Sequence, residues 1–291
     1  MSIPEENELR DLFFNEAPIY GLSENTCYNY FLNCRKMWNA FNKHPREISN
    51  DELKNYFIEY IKTKPAKNSL HVTKAALNFM YRSLLGQERP IIDEVRGGRS
   101  RRLPRAMSME EVELMLSSIK KYHYKVMTCL AFSCGLRVSE AVSVRTIDIN
   151  RFKMTLFIQG GKGNKDRYVP LPLKTYYMLR RYWDSRRPPK PYIFVNPQTQ
   201  KPYCRESAEG AFRLSRDEAK LNSQYTFHTL RHGYATCLIE AGLDIRILQI
   251  FLGHCTLKTT LRYVHMTTKS ANLARQILND CFEQFNYPGH A

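Results

Sequence analysis

Along most of this chain apolar residues recur at helical spacing, and one stretch breaks that rhythm. In "FKMTLFIQ", Phe152, Met154, Leu156 and Ile158 alternate with Lys153, Thr155, Phe157 and Gln159, the period-two pattern of a strand. "DRYVPLP" supplies a second short strand, and the intervening "GGKGNK" reads as a glycine-rich hairpin tip holding out Lys162 and Lys165. The expected fold is mainly α with a small antiparallel β-sheet set into its second part.

Residues 1–90 carry helix signals almost throughout, near 5–14, 23–42, 49–61 and 67–85. Ser23 stands as an N-cap before a stripe of Cys27, Tyr30, Phe31, Cys34, Met37, Trp38 and Phe41, and "SNDELKNYFIEYI" repeats the pattern. A helical bundle accounts for both, with the Met and aromatic stripe as its core. The texture changes in "RPIIDEVRGGRSRRLPRAMSMEE". There Gly, Ser and Pro interrupt the period, and Arg96, Arg99, Arg101, Arg102 and Arg105 fall within ten positions. That segment reads either as a solvated connector or as a strap lying along phosphates. At 291 residues the chain suits two domains better than one. The division expected is a helical unit over 1–95, an arginine-rich linker over 96–106 and a mixed α/β unit over 107–291. In the last unit "SMEEVELMLSSI" has a Ser N-cap and an acidic first turn, and "YKVMTCLAFSCGL" reads as a buried helix.

Charge narrows the partners. The chain carries 44 Lys and Arg against 28 Asp and Glu, a net +16, with 14 basic and 13 acidic residues in 1–100 and 30 against 15 in the remainder. An excess confined to the second part points to a polyanionic partner. If the near-neutral first unit also grips such a partner, its cations must be segregated, with Lys54, Lys62, Lys64, Lys67 and Lys74 as candidates for the facing side. Eight cysteines include no C-x-x-C pair and are expected to be reduced packing residues. The opening "MSIPEENELRD" is acidic and polar, unlike an export signal, and the longest near-apolar run, "VMTCLAFSCGL", is too short to span a bilayer. A cytoplasmic, nucleoid-associated protein with no membrane contact is expected.

Three stretches carry chemistry. In "CGLRVSE", Arg137 follows a buried helix and a terminating Gly135, and Glu140 three residues on is placed to hold its guanidinium. An arginine leaving an apolar turn needs an anionic partner, which is either Glu140 or a ligand. In "TFHTLRHGYA", His228 and Arg231 at i, i+3 share a helix face near its N-terminus, a seat for phosphate, whereas the i, i+4 pair His228 and His232 lacks the Glu of a zinc-protease helix. In "FLGHCTLKTTLRYVHM", His254 follows a glycine at a turn between helices and Tyr263 lies nine residues later among basic neighbours. As a nucleophile Tyr263 faces a phenol pKa near 10, about 4 kcal/mol above neutrality, so a base or a strong positive field must assist it.

Taken in order, "GLRVSE", "GGKGNKDRYVPL", "HTLRHGYAT" and "LGHCTLKTTLRYVH" resemble the tyrosine recombinase (lambda-integrase-like) family, most of all its Xer-type and mobile-element members. The likeness covers about 105–270, and the helical region before it agrees in length and place with that family's core-binding domain. The resemblance implies a catalytic set of Arg137, Glu140, Lys162, His228, Arg231, His254 and Tyr263. Arg137 and Arg231 would grip the scissile phosphate with a hydrogen bond from His254, and Glu140 would support them. His228 would take the proton of Tyr263 as it attacks, and Lys162 would protonate the departing 5′-oxygen, leaving a 3′-phosphotyrosyl link. Lys165 is the rival of Lys162 on the same loop and a DNA contact with the linker arginines. His232 is given only packing or a hydrogen bond behind the site.

The partner implied is double-stranded DNA with specific recombination sites, cut by a homotetramer with accessory proteins and without metal, nucleotide hydrolysis or other cofactor. Residues after Tyr263, with apolar spacing at Leu273, Ile277, Leu278, Cys281 and Phe282, would dock on a neighbouring protomer, as the family suggests, or else on their own domain. Three alternatives stand beside this one. A type IB topoisomerase or hairpin resolvase would share the chemistry, a noncatalytic DNA-binding regulator would share the scaffold, and a metal-dependent nuclease would share the substrate. The motifs lack the carboxylate cluster of that last class.

Overall fold

The computed structural model describes residues 9–63, 67–96, 105–161 and 165–264. Its internal packing divides the chain into two units, Met1–Arg101 and Arg102–Ala291.

The first unit is built on α1 (Glu24–Phe41), α2 (Asn50–Lys62), α3 (Lys67–Phe79) and α4 (Pro90–Glu94). Local chemistry starts the helices where the sequence suggests. The Ser23 hydroxyl accepts from the Thr26 amide, and Ser49 with Glu52 forms a reciprocal capping box. Cys27, Phe31, Cys34, Met37 and Trp38 of the α1 stripe are buried with Leu53, Phe57 and Leu77. Two stretches depart from plain α-helix. Of the segment expected over 5–14, residues 5–8 lie outside the described residues, and the rest leads into a π turn at Leu12–Glu16 and a 3₁₀ turn at Ala17–Tyr20, where Pro18 has no amide to give a continuing helix. The segment expected over 67–85 widens into a π turn at Met80–Leu84, which keeps Met80, Tyr81 and Leu84 all in the core. Lys54 is exposed, and exposed Lys62 pairs with Glu59. Lys74 does not point outward as a free cation: its ammonium donates to the carbonyls of Asp93 and Val95 at 3.2 and 2.5 Å, closing the end of α4.

The second unit carries α5 (Met109–Ser118), α6 (Tyr122–Ser133), α7 (Val138–Val142), α8 (Leu173–Arg186), α9 (Arg205–Glu218), α10 (Phe227–Glu240), α11 (Ile245–Leu252) and α12 (Leu257–Val264). One antiparallel sheet runs β1 (Ile149–Asn150), β2 (Thr155–Gly161), β3 (Lys165–Pro170), in that spatial order. Leu156 pairs with both Ile149 and Val169, and the register shifts between Ile158 and Gly161. The buried helix α6 contributes Val126, Met127, Leu130 and Ala131 to a core shared with Leu156, Val169, Phe212 and Leu230. Ser108 and Glu111 make a second capping box at α5.

The sheet differs from its expected form at the start of β2. The alternation at Phe152 and Met154 belongs to a turn, because Asn150 Oδ1 accepts the amides of Phe152 and Lys153 and Met154 has φ +48°. Phe152 is 85% exposed and carries the Arg151 guanidinium over its ring. Strand β1, two residues long, pairs across that turn. Cys27, Cys34, Cys129, Cys134, Cys204 and Cys255 are free thiols, and no described helix is long and apolar enough to cross a membrane.

Candidate active site

Helix α6 ends at Ser133, the chain turns through Gly135, and Arg137 becomes the N-cap residue of α7. Glu140, in the first turn of α7, accepts the Arg137 amide at 2.8 Å and its guanidinium at 2.6 Å. The structure therefore realises the Arg137–Glu140 pair suggested by the sequence, and it adds two arginines. Along β3, alternation turns Arg167 inward with Val169. Its two terminal nitrogens lie 2.9 and 2.7 Å from the two Glu140 oxygens, and Nε donates to the Phe251 carbonyl at 2.8 Å. Arg231, one turn into α10 from His228, has Nη1 3.9 Å from Glu140 and donates to the carbonyls of Gly135 and Leu252.

Three guanidinium groups thus share one carboxylate, and the surplus charge is what an anion such as a phosphodiester would neutralise. Burial works against the Glu140 charge, but hydrogen bonding and charge from Arg167, then the Arg137 amide and charge, hold its pKa at about 2. Burial, followed by repulsion from Arg137, lowers Arg231 to about 10 despite Glu140, which leaves it cationic at neutral pH. Arg231 is 1% exposed, whereas the Arg137 side chain is 22% exposed and His228 stands open at the rim. A cleft of about 550 Å³ opens beside these last two, lined also by Arg205, Arg213 and Glu209.

The imidazoles are arranged around Tyr263. Helix α11 ends at Leu252, and the chain passes through Gly253 to His254, whose Nδ1 lies 3.0 Å from Thr260 Oγ1 in α12. Tyr263, 3% exposed on the same helix, packs with Tyr234, Ala235, Leu248 and Leu252. Its ring lies nearly parallel to that of His254, with centroids 6.3 Å apart. The Tyr263 hydroxyl and His232 Nδ1 share a 3.0 Å hydrogen bond. Desolvation, followed by the charges of Arg231 and Arg137, pushes His228 below its ordinary value and His254 down to about 4. The His254 ring is therefore neutral at physiological pH, and His228 is biased the same way.

Of the residues singled out in the sequence, the fold brings together Arg137, Glu140, His228, Arg231, His254 and Tyr263. Lys162 lies outside the described residues. Lys165 opens β3, paired with Gly161, so it belongs to the strand and not to the hairpin tip. Arg96 and Arg105 are exposed, while Arg99, Arg101 and Arg102 lie outside the described residues, as do the positions after Val264. Two site residues went unassigned in the sequence. Arg167 falls on the inward phase of a strand, a position that marks a charge as buried and paired. His232, kept to packing or a hydrogen bond, is the ring that holds the phenol. Among the described residues no group of three His, Cys, Asp or Glu side chains is gathered as a metal ion would need.

Known proteins resemble this chain over most of its length. The phage integrase family model matches residues 105–270, and the phage integrase N-terminal SAM-like domain matches 9–91. An integrase/recombinase of Sinorhizobium fredii is 32% identical, over 89% of this chain and 85% of its own. Tyrosine recombinase XerA of Thermococcus kodakarensis is 28% identical, over 94% and 95%. Among solved structures, the Tn1549 transposon integrase in complex with circular intermediate DNA aligns with a TM-score of 0.73 at 17% identity, covering 93% of this chain and 99% of that one. A lambda integrase dimer bound to a core site aligns at 0.71 and 16%, covering 90% and 95%. The chain belongs to the phage integrase family and is a tyrosine recombinase. These relatives carry integrase and recombinase names, which disfavours the topoisomerase, hairpin-resolvase, regulator and nuclease readings.

Proposed function

We propose that this protein is a site-specific recombinase that cuts and rejoins double-stranded DNA through Tyr263. The observation that carries the proposal is the convergence of Arg137 and Arg231, 94 positions apart, on Glu140 beside a buried, histidine-bound tyrosine. The arginines neutralise the nonbridging oxygens as charge builds in the pentavalent transition state, and neutral His254 adds a hydrogen bond. Tyr263 attacks phosphorus, Lys162 protonates the 5′-oxygen, and the 3′-phosphotyrosyl bond conserves the phosphodiester energy for rejoining. Arg231 is 1% exposed, so phosphate enters from the more open Arg137 and His228 side.

The helical unit over 1–95 acts as one half of a DNA clamp, the linker over 96–106 lays its arginines along phosphates, and the unit over 107–291 carries catalysis. Residues after Tyr263 dock on a neighbouring protomer in a tetramer spanning two duplexes, in the cytoplasm at the nucleoid. Of these assignments, the recombinase relatives and the DNA complexes of the structural neighbours support the DNA partner. The test is incubation with nicked suicide duplexes tiled across the source genome. A denaturant-resistant protein–DNA adduct is expected from the wild type and none from Tyr263→Phe. An undiminished adduct in that variant removes Tyr263 as nucleophile.

A further inference from the structure

Given that Tyr263 is the nucleophile, a base must take its proton, and the structure assigns that role to His232. Its inference rests on the recombinase reading and goes beyond it. His228 and His232 lie one turn apart on α10, their rings meeting edge to face with centroids 4.7 Å apart. Their positions differ. His228 occupies the first turn, at the open cleft beside Arg137, where phosphate would arrive. His232 is half-buried one turn deeper, with Nδ1 3.0 Å from the phenolic oxygen, the range in which a positioned base acts. The Tyr263 ring is itself confined, flanked by His254 and by His232 at centroid distances of 6.3 and 5.6 Å.

The step balances as follows. Neutral His232 carries its hydrogen on Nε2, and the Tyr263 O–H donates to Nδ1. The phenolic oxygen forms its bond to phosphorus as the bond from phosphorus to the 5′-oxygen breaks. The phenolic proton passes to Nδ1, making an imidazolium, and the 5′-oxygen leaves with a proton from Lys162. In rejoining, the imidazolium returns its proton to the departing phenolate. His228 is left to hydrogen-bond a phosphate oxygen at the rim.

Duplexes that give the wild-type adduct serve as substrate, so failure of the recombinase reading shows before His232 is altered. His232→Asn keeps an acceptor near the Nδ1 position and cannot accept a proton at neutral pH. Single-turnover cleavage and rejoining are both expected to slow by about 100-fold or more. Placing 3,5-difluorotyrosine at position 263 of that variant, a phenol that ionises more readily, should recover most of the loss, which a packing role for His232 does not explain. Wild-type rates in His232→Asn, or no recovery with the difluorinated ring, would overturn the assignment. If the variant does not fold, nitrogen NMR of the histidines in the wild-type protein decides. An unprotonated Nδ1 whose resonance moves in Tyr263→Phe is expected, and a protonated Nδ1 donating to the tyrosine overturns the proposal.

Discussion

A carboxylate surrounded by three guanidinium groups is protected against the loss of any one of them, but the cations are not protected against the loss of the carboxylate. Without Arg167, Glu140 keeps Arg137 at 2.6 Å and Arg231 at 3.9 Å. Without Glu140, the Arg167 and Arg231 side chains, 3% and 1% exposed, keep only carbonyl partners. Breaking a buried pair typically costs about 3–5 kcal/mol. Arg167→Met should fall at or below the lower end of that range, and Glu140→Gln at the upper end. The chain offers a selective probe, since its two tryptophans divide between the units, Trp38 in the first and Trp183 in the second. Urea unfolding followed through Trp183 in a Trp38→Phe background measures both variants, and the reverse order of their losses would show that Glu140 is not the centre of the network.

The elements matter because their ends place these side chains. Gly135 has φ +62°, and a Cβ there would lie 2.4 Å from the Tyr234 ring of α10, while its carbonyl accepts Arg231 at 2.8 Å. Gly135→Ala therefore adds left-handed strain of about 1–2 kcal/mol to an overpacking cost of about 1–3 kcal/mol. Gly242→Ala is the control: its φ is +90°, but nothing lies within 4 Å of the added carbon. The first variant should lose about 2–5 kcal/mol and the second about 1–2 kcal/mol in the same urea titration. Equal losses would mean that the fit against Tyr234 carries no weight. These element ends were legible in the sequence wherever local chemistry sets them: Ser23, Ser49 and Ser108 at N-caps, Gly135 before Arg137, and the alternation of Leu156 and Ile158. What was not legible depends on partners distant in sequence. Phe152 and Met154 mimic a strand, and Asn150 turns them into a loop. Arg167 sits at an inward strand position that hydrophobic patterning gives to an apolar side chain, and Glu140, 27 positions earlier, with the Phe251 carbonyl, 84 positions later, makes it stable there. His232 is placed beside Tyr263 by the packing of α12 on α10, which no local motif encodes.

At the scale of the whole molecule the uneven charge is the feature to explain. The first hundred residues are nearly neutral and the remainder carries almost the entire excess, with Arg96, Arg99, Arg101, Arg102 and Arg105 where the two meet. The described members of that set, Arg96 and Arg105, are exposed. An arginine that displaces a counterion from duplex DNA adds about 0.9 to the slope of log affinity against log salt, whereas one that stays solvated adds almost nothing. Replacing all five by alanine should therefore flatten that slope by about 4.5 if all five lie along phosphates. Fluorescence anisotropy with a duplex of arbitrary sequence, titrated at several salt concentrations, reads the slope directly, because this contribution does not depend on base sequence. If the five arginines serve binding alone, a covalent adduct should still form at low salt, where weaker binding is overcome by protein concentration. A slope unchanged by the five substitutions would make the segment a plain connector and move the phosphate contacts onto the surface of the second unit.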